Sequence, residues 1–157
     1  MVRENEQKLA KELAFKRLSR RECSTANMKQ FLLTKGISPE TIIIVLEELK
    51  ALNLINDERF TKILTRDQAA RGKGPYVIRQ KLKEKGIQID LAKMKELTEN
   101  LTQTSELDAA IAIVKRRYFD SKNDKKVHAR AFQALLRRGF SFSIALEALA
   151  KYLDNVE

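Results

Sequence analysis

Apolar positions along this chain recur at helical spacing over most of its length. Ile42, Val45, Leu46 and Leu49 follow i, i+3, i+4, i+7, the stripe of an amphipathic helix. The run Ile42-Ile43-Ile44-Val45 is β-branched and by propensity suits a strand. The spacing continues through Glu47-Glu48-Leu49-Lys50 without a turn residue, so a helix is predicted. Its start fits: Ser38 as N-cap, Pro39 at the first helical position and Glu40 in the first turn. Asn53 suits a left-handed C-terminal position. Met28, Leu32 and Leu33 fall on one face of an earlier helix. Asn56 or Asp57 caps a further helix through Phe60, Ile63 and Leu64 to about Ala70. On a helix from Pro75 to Lys85, Ile78 and Leu82 form the buried stripe. Ser105, with Asp108 three residues on, resembles a capping box and opens a helix through Ala109, Ile113 and Val114 to about Tyr118. Asp120-Ser121-Lys122-Asn123-Asp124 reads as a loop.

A weak internal repeat overlies this pattern. Gly36, Gly86 and Gly139 each have a Leu four residues before (Leu32, Leu82, Leu135) and a basic residue one before (Lys35, Lys85, Arg138). Each is followed by an apolar residue (Ile37, Ile87, Phe140), and the spacings are 50 and 53 residues. A glycine here ends a helix in the left-handed region after a basic last turn, and the next apolar residue folds back. The chain therefore reads as all-α: three tandem three-helix repeats at 7–54, 57–102 and 105–155. Units this small are marginal alone, so neighbours are expected to share cores end to end in an elongated, curved, solenoid-like body. The polar segment 98–107 gives no clear signal, which leaves the second junction unassigned.

Composition narrows the class. The 157 residues are 43% hydrophobic and 33% charged, enough apolar material for a packed core. Five Gly, two Pro and no Trp argue against a turn-rich β-sandwich. No apolar run approaches the ~18 residues of a membrane span, and the N-terminus lacks the apolar centre of a signal peptide. The single Cys23 cannot form an internal disulfide, and one His with one Cys makes a structural zinc site an unlikely design. The expectation is an intracellular monomer without metal or cofactor.

Charge points to a polyanionic partner. The net charge is +10, and it is segregated along the chain. Residues 66–86 hold seven cations against two carboxylates, and residues 115–138 nine against two. Residues 37–60 instead carry five carboxylates against two cations. Segregation costs self-repulsion and is hard to explain by solubility alone. The pattern does not distinguish DNA, RNA or an acidic protein surface; the positions expected to contact such a partner are Arg71, Lys73, Arg79, Lys83 and Lys85, with Arg116, Arg117, Lys125, Lys126, Arg130, Arg137 and Arg138. Such contacts to phosphate give affinity without sequence specificity. Tyr76 either packs or stacks on a base.

No catalytic constellation stands out, and the chain is read as a non-enzyme. Gly72-Lys73-Gly74-Pro75 lacks the spacing of a nucleotide-phosphate loop. It reads as a helix break and restart, with Gly74 as N-cap. The restarted helix N-terminus, flanked by Arg71 and Lys73, is also a ready anion site. His128 reads as a surface or partly packed residue. Cys23 reads as a small buried or half-buried residue near a helix start. Glu47-Glu48 and Asp57-Glu58 are sequence neighbours about 100° apart on a helix, so neither makes a metal clamp.

Several segments together resemble one family. Arg71-Gly72-Lys73-Gly74-Pro75, then Ile78-Arg79-Gln80, Leu82 and Lys85-Gly86-Ile87, is similar to the signature of the RecX regulatory proteins. So are Leu18-Ser19-Arg20-Arg21-Glu22 before Leu32 and Lys35-Gly36, and Leu46-Glu47-Glu48-Leu49 leading to Asn56-Asp57-Glu58-Arg59-Phe60. Leu135-Leu136-Arg137-Arg138-Gly139-Phe140 is a less specific match. The resemblance spans about residues 10–150. It implies a bacterial cytoplasmic regulator of recombination, DNA repair and the SOS response. Such a regulator binds the RecA recombinase filament on single-stranded DNA, with at most weak duplex binding. It modulates, chiefly by inhibiting, RecA's ATP hydrolysis and strand exchange. The competing reading is a stand-alone architectural or transcriptional DNA-binding protein, with Gln80 and Gln133 as its base-reading candidates. A nuclease is disfavoured because the basic segments hold only the isolated Asp67, Glu84, Asp120 and Asp124.

Overall fold

The computed structural model describes residues 1–118 and 123–154, and all regular structure among them is helical. The order is α1 (Val2–Leu18), α2 (Thr25–Thr34), α3 (Pro39–Ala51), α4 (Asp57–Ala70), α5 (Pro75–Glu84), α6 (Leu91–Thr102), α7 (Glu106–Tyr118), α8 (Lys125–Arg138) and α9 (Phe142–Asp154). The loop expected at 120–124 and the last residue of the third repeat fall partly or wholly outside the described residues.

Local chemistry accounts for the boundaries. The Ser38 hydroxyl accepts the Thr41 amide at the start of α3, and Asn53 closes that helix region at φ 55°. The β-branched run is helical, with Ile42, Val45, Leu46 and Leu49 buried while Ile43 and Ile44 face out. Helix and strand propensities of single residues differ by under about 1 kcal/mol. Burying a large aliphatic side chain gives about 1.5–3 kcal/mol, so the stripe decides. Asn56 accepts the Arg59 amide at 2.9 Å and Ser105 the Asp108 amide at 3.0 Å, capping α4 and α7. One expectation needs correction. Leu33 does not share the buried face of Met28 and Leu32; it is 38% exposed, since it sits about 100° round α2 from Leu32. The first helix starts at Val2.

The unassigned segment is the end of α6. Asp90 caps its start by accepting the Lys93 amide, and Gln103 ends it at φ 54°. A glutamine in the left-handed region carries no sequence signal, so this helix end was invisible.

The chain divides into two compact units, and the division cuts through α4 and α5. One holds Met1–Thr61 with Lys83–Ile87. Its core is Ala10, Ala14, Met28, Leu32, Ile42, Val45 and Leu49 where α1, α2 and α3 pack on one another, joined by Cys23, Ile37 and Ile55 from the links. Polar links tie it at the rim. Asp57 accepts the Thr25 amide at 2.7 Å, Glu22 pairs with Arg59 at 2.8 Å, and the Ser24 hydroxyl donates to the Lys85 carbonyl at 2.7 Å. The other unit holds Lys62–Leu82 with Gln88–Glu157. Its main core comes from α7, α8 and α9: Ala110, Ile113, Val114, Ala131, Leu135, Phe140, Ala145, Ala148 and Leu149. Ile78, Leu82 and Met94 are likewise buried. Among the described residues no helix is long and apolar enough to cross a membrane.

One rim contact makes a pH prediction. The Glu6 carboxylate on α1 accepts from the Thr41 and Ser38 hydroxyls and from the Ser38 amide at the N-terminus of α3. The Thr41 hydroxyl, then the Ser38 groups, lower its proton affinity below the ordinary glutamate value of 4.5. A depressed folded pKa stabilises above the unfolded pKa and loses that contribution as pH falls through the folded value. Thermal unfolding of wild type and Glu6→Gln should therefore differ at pH 7 and converge as pH drops below about 4.5. Equal midpoints at pH 7 would remove Glu6 from the set of stabilising contacts.

Candidate functional site

The glycine-rich basic turn is where the second unit gathers its charge. α4 ends at Ala70, Gly72 takes φ +75°, and the Lys73 amide returns to the Gln68 carbonyl at 3.0 Å. The next residues dock on the end of α8. The Gly74 amide donates to the Arg138 carbonyl at 2.7 Å, and the Tyr76 amide to the Gly139 carbonyl at 3.0 Å. The two backbones meet so closely that a Cβ on Gly74 would lie 2.5 Å from the Gly139 oxygen. The Arg138 guanidinium completes the strap, donating to the carbonyls of Arg71 (3.2 Å) and Gly72 (3.3 Å).

This arrangement revises one reading of the turn. It is a helix break and restart, with α5 beginning at Pro75. The Gly74 and Tyr76 amides at that restart are already engaged by carbonyls, and Pro75 has none to offer. These amides are therefore not an anion cradle; the turn joins two backbones.

Beside the strap lies a cavity of about 400 Å³ between α4, the turn, α6 and α7. Pro75, Leu101, Ile113 and Phe140 form apolar wall, and Arg66, Lys73, Lys95 and Arg116 bring positive charge against the carboxylates of Glu99 and Glu106. Lys95 is partly neutralised, 3.3 Å from Glu106, and its ammonium lies 5.7 Å from the Tyr76 ring centroid. Arg66, Lys73 and Arg116 have no ion pair among the described residues. Burial lowers the proton affinity of Arg138, and repulsion from Arg117 and then Arg116 lowers it further. The Arg116 and Arg117 guanidinium groups thus lie close enough to Arg138 to repel it.

The expected contact residues thus separate. Arg71, Lys73, Arg116, Arg117 and Arg138 come together around the turn and cavity. Within this group Arg138 is committed to the strap, and Arg71 pairs with Asp67 at 3.1 Å. Arg79 is held by the Ile89 carbonyl at 2.9 Å. Lys83 and Lys85 belong to the other unit. Lys125, Lys126, Arg130 and Arg137 are exposed along α8 and do not line the cavity. The sequence had not singled out Arg66 or Lys95 as contact residues. Lys95 lies on the unrecognised α6, and Arg66 sits one turn before the basic cluster. Tyr76 is 44% exposed. Among the described residues no group of three or more His, Cys, Asp or Glu side chains is placed to hold a metal ion. Cys23 is buried, its sulfur 3.2 Å from the Arg17 Nε, and His128 is half-buried.

Comparison with known proteins gives a consistent picture. Family models described as the second and third three-helix domains of RecX match residues 56–93 and 104–149. "Regulatory protein RecX" of Streptococcus gordonii is 32% identical over 94% of this chain, which spans 56% of that relative's length. "Regulatory protein RecX" of Syntrophotalea carbinolica is 31% identical, with 85% of this chain and 90% of the relative covered. The crystal structure of RecX from Lactobacillus salivarius superposes with a TM-score of 0.76 at 23% identity, covering 97% of this chain and 99% of that one.

Proposed function

The chain belongs to the RecX family of regulatory proteins, and from that premise we propose that it is a non-enzymatic regulator that binds the RecA filament on single-stranded DNA. In this reading it lowers RecA's ATP hydrolysis and strand exchange, and the three helix triplets act as repeats bounded at 7–54, 57–102 and 105–155. The supporting observation is the gathering of Arg66, Lys73 and Arg116 at the cavity, with Arg116 and Arg117 near enough to Arg138 to repel it. Like charges held together cost free energy in the isolated protein, and a polyanion relieves that cost on binding. The regulator shifts the assembly balance only by its differential affinity for filament states. Contacts that favour the shorter or less extended filament therefore suffice, without chemistry.

The test is a titration into RecA hydrolysing ATP on single-stranded DNA, with filament length measured in parallel. Turnover and length should both fall as the protein saturates. Unchanged turnover and length at saturation would overturn the proposal. Tighter binding to bare duplex than to RecA-coated strands would favour a stand-alone DNA-binding protein, reading bases through Gln80 and Gln133, both exposed.

A further inference from the structure

The first unit carries a second cationic site, built around an aromatic ring rather than a glycine turn. The Arg17 guanidinium lies over the Phe31 ring, 4.5 Å from its centroid, and the Lys35 ammonium is 5.6 Å from the same centroid. The Arg17 Nε also donates to the Cys23 sulfur at 3.2 Å, which fixes the guanidinium in place. A groove of about 420 Å³ runs past this stack, bordered by Lys16, Arg17, Arg20, Arg21, Phe31 and Lys35, and no carboxylate lines it. An adjoining depression shares Arg17 and Phe31 and continues to Asn27, Gln30, Lys83 and Glu84 in the same unit.

The helix ends alone do not explain this charge. The C-termini of α1 and α2 each present about half a negative charge, against the five cations of the groove. The nearest acidic neighbour in sequence, Glu22, is committed to Arg59 at 2.8 Å. The Arg20 and Arg21 side chains have no hydrogen-bonding or ionic partner among the described residues. What remains is a strongly positive groove with a flat guanidinium–aromatic stack in its wall.

From this we infer that the groove is a direct binding site for single-stranded nucleic acid, with phosphates on Lys16, Arg20, Arg21 and Lys35 and one unstacked base against the Arg17–Phe31 pair. The chemistry selects this ligand. A single strand alternates charge with exposed π-faces, which guanidinium and aromatic planes both receive. A duplex offers no free base face, and an acidic peptide would use the cations but leave the stack unused. Asn27 and Gln30 stand where base edges would reach. The site shares no residue with the Arg116–Arg117–Arg138 group and requires no recombinase.

The experiment measures anisotropy of a short fluorescein-labelled oligothymidylate with the full chain and no recombinase, over a range of salt. An abasic oligomer of the same length and a polyglutamate serve as competitors. The wild type should prefer oligothymidylate over both. Arg20→Glu with Arg21→Glu, both exposed, should weaken binding about 100-fold and lower the salt slope by about 1.4. Phe31 packs on the core, so the apolar Phe31→Leu is chosen. It should lose about tenfold on oligothymidylate and nothing on the abasic strand. Circular dichroism confirms that each variant keeps its helices. Wild-type affinity in the double variant, or no wild-type binding at all, would overturn the inference. So would equal competition by polyglutamate, which would assign the groove to an acidic protein segment. The RecA titration reads out separately, so either proposal can fail while the other stands.

Discussion

Gly74→Ala should destabilise the chain by about 3–4 kcal/mol, a large share of the 5–15 kcal/mol that holds a typical domain folded. The added Cβ would meet the Gly139 oxygen at 2.5 Å, its carbon at 2.6 Å and the Phe140 nitrogen at 2.8 Å. All three are backbone atoms, so no side chain can swing aside. The strap must open, and the hydrogen bonds from the Gly74 and Tyr76 amides lengthen or break. Each contributes about 1 kcal/mol net, and overpacking adds about 1–3 kcal/mol. Gly36→Ala is the matched control. Gly36 has φ +79° but nothing within 4 Å of the added atom, so only left-handed strain of about 1 kcal/mol applies. Urea unfolding followed by circular dichroism should rank Gly74→Ala well below Gly36→Ala. Equal midpoints would mean that the two backbones do not touch in solution.

That contact also shows where sequence reading stops. Helix starts and ends were legible because their determinants are local. Ser38 with Pro39, Asn56, Ser105 and the left-handed Asn53 each act within four residues of themselves. The buried stripe of α3 was legible because spacing outweighs the β-branched run. The Gly74–Gly139 approach joins residues far apart in the chain, and each glycine already had a sufficient local role, so nothing in the sequence demanded a second one. Charge counting had the same blind spot. It found that residues 66–86 and 115–138 are basic. It did not show that Arg79 is held by Ile89 or that Arg138 is held by the Arg71 and Gly72 carbonyls. Nor did it join Arg17, Arg20 and Arg21 to Lys35, because Arg17 lies in the last turn of α1, Arg20 and Arg21 lie in the link that follows, and Lys35 comes only after α2.

This sorting identifies the pair whose loss should matter most to regulation. Reversing Arg116 and Arg117 to Glu should raise the concentration needed for half-maximal inhibition of RecA about 100-fold. Each charge-assisted hydrogen bond contributes about 1.5–3 kcal/mol, and 1.4 kcal/mol is tenfold in affinity. The pair is preferable to Arg79, whose reversal would also sacrifice the bond to Ile89. It is preferable to Arg138, whose reversal would disturb the strap. Arg116 and Arg117 are exposed in the last turn of α7, where they complement the helix dipole. Reversal there costs about 1–4 kcal/mol of stability in total through the dipole. An Arg116→Gln, Arg117→Gln variant removes the cations without adding repulsion and should fall between wild type and the reversal. If the contact is to single-strand phosphate, the salt slope of filament binding should drop by about 1.4, close to 0.7 for each phosphate lost. Wild-type inhibition in the reversed variant, with its helices intact, would place the regulatory contact elsewhere on the chain.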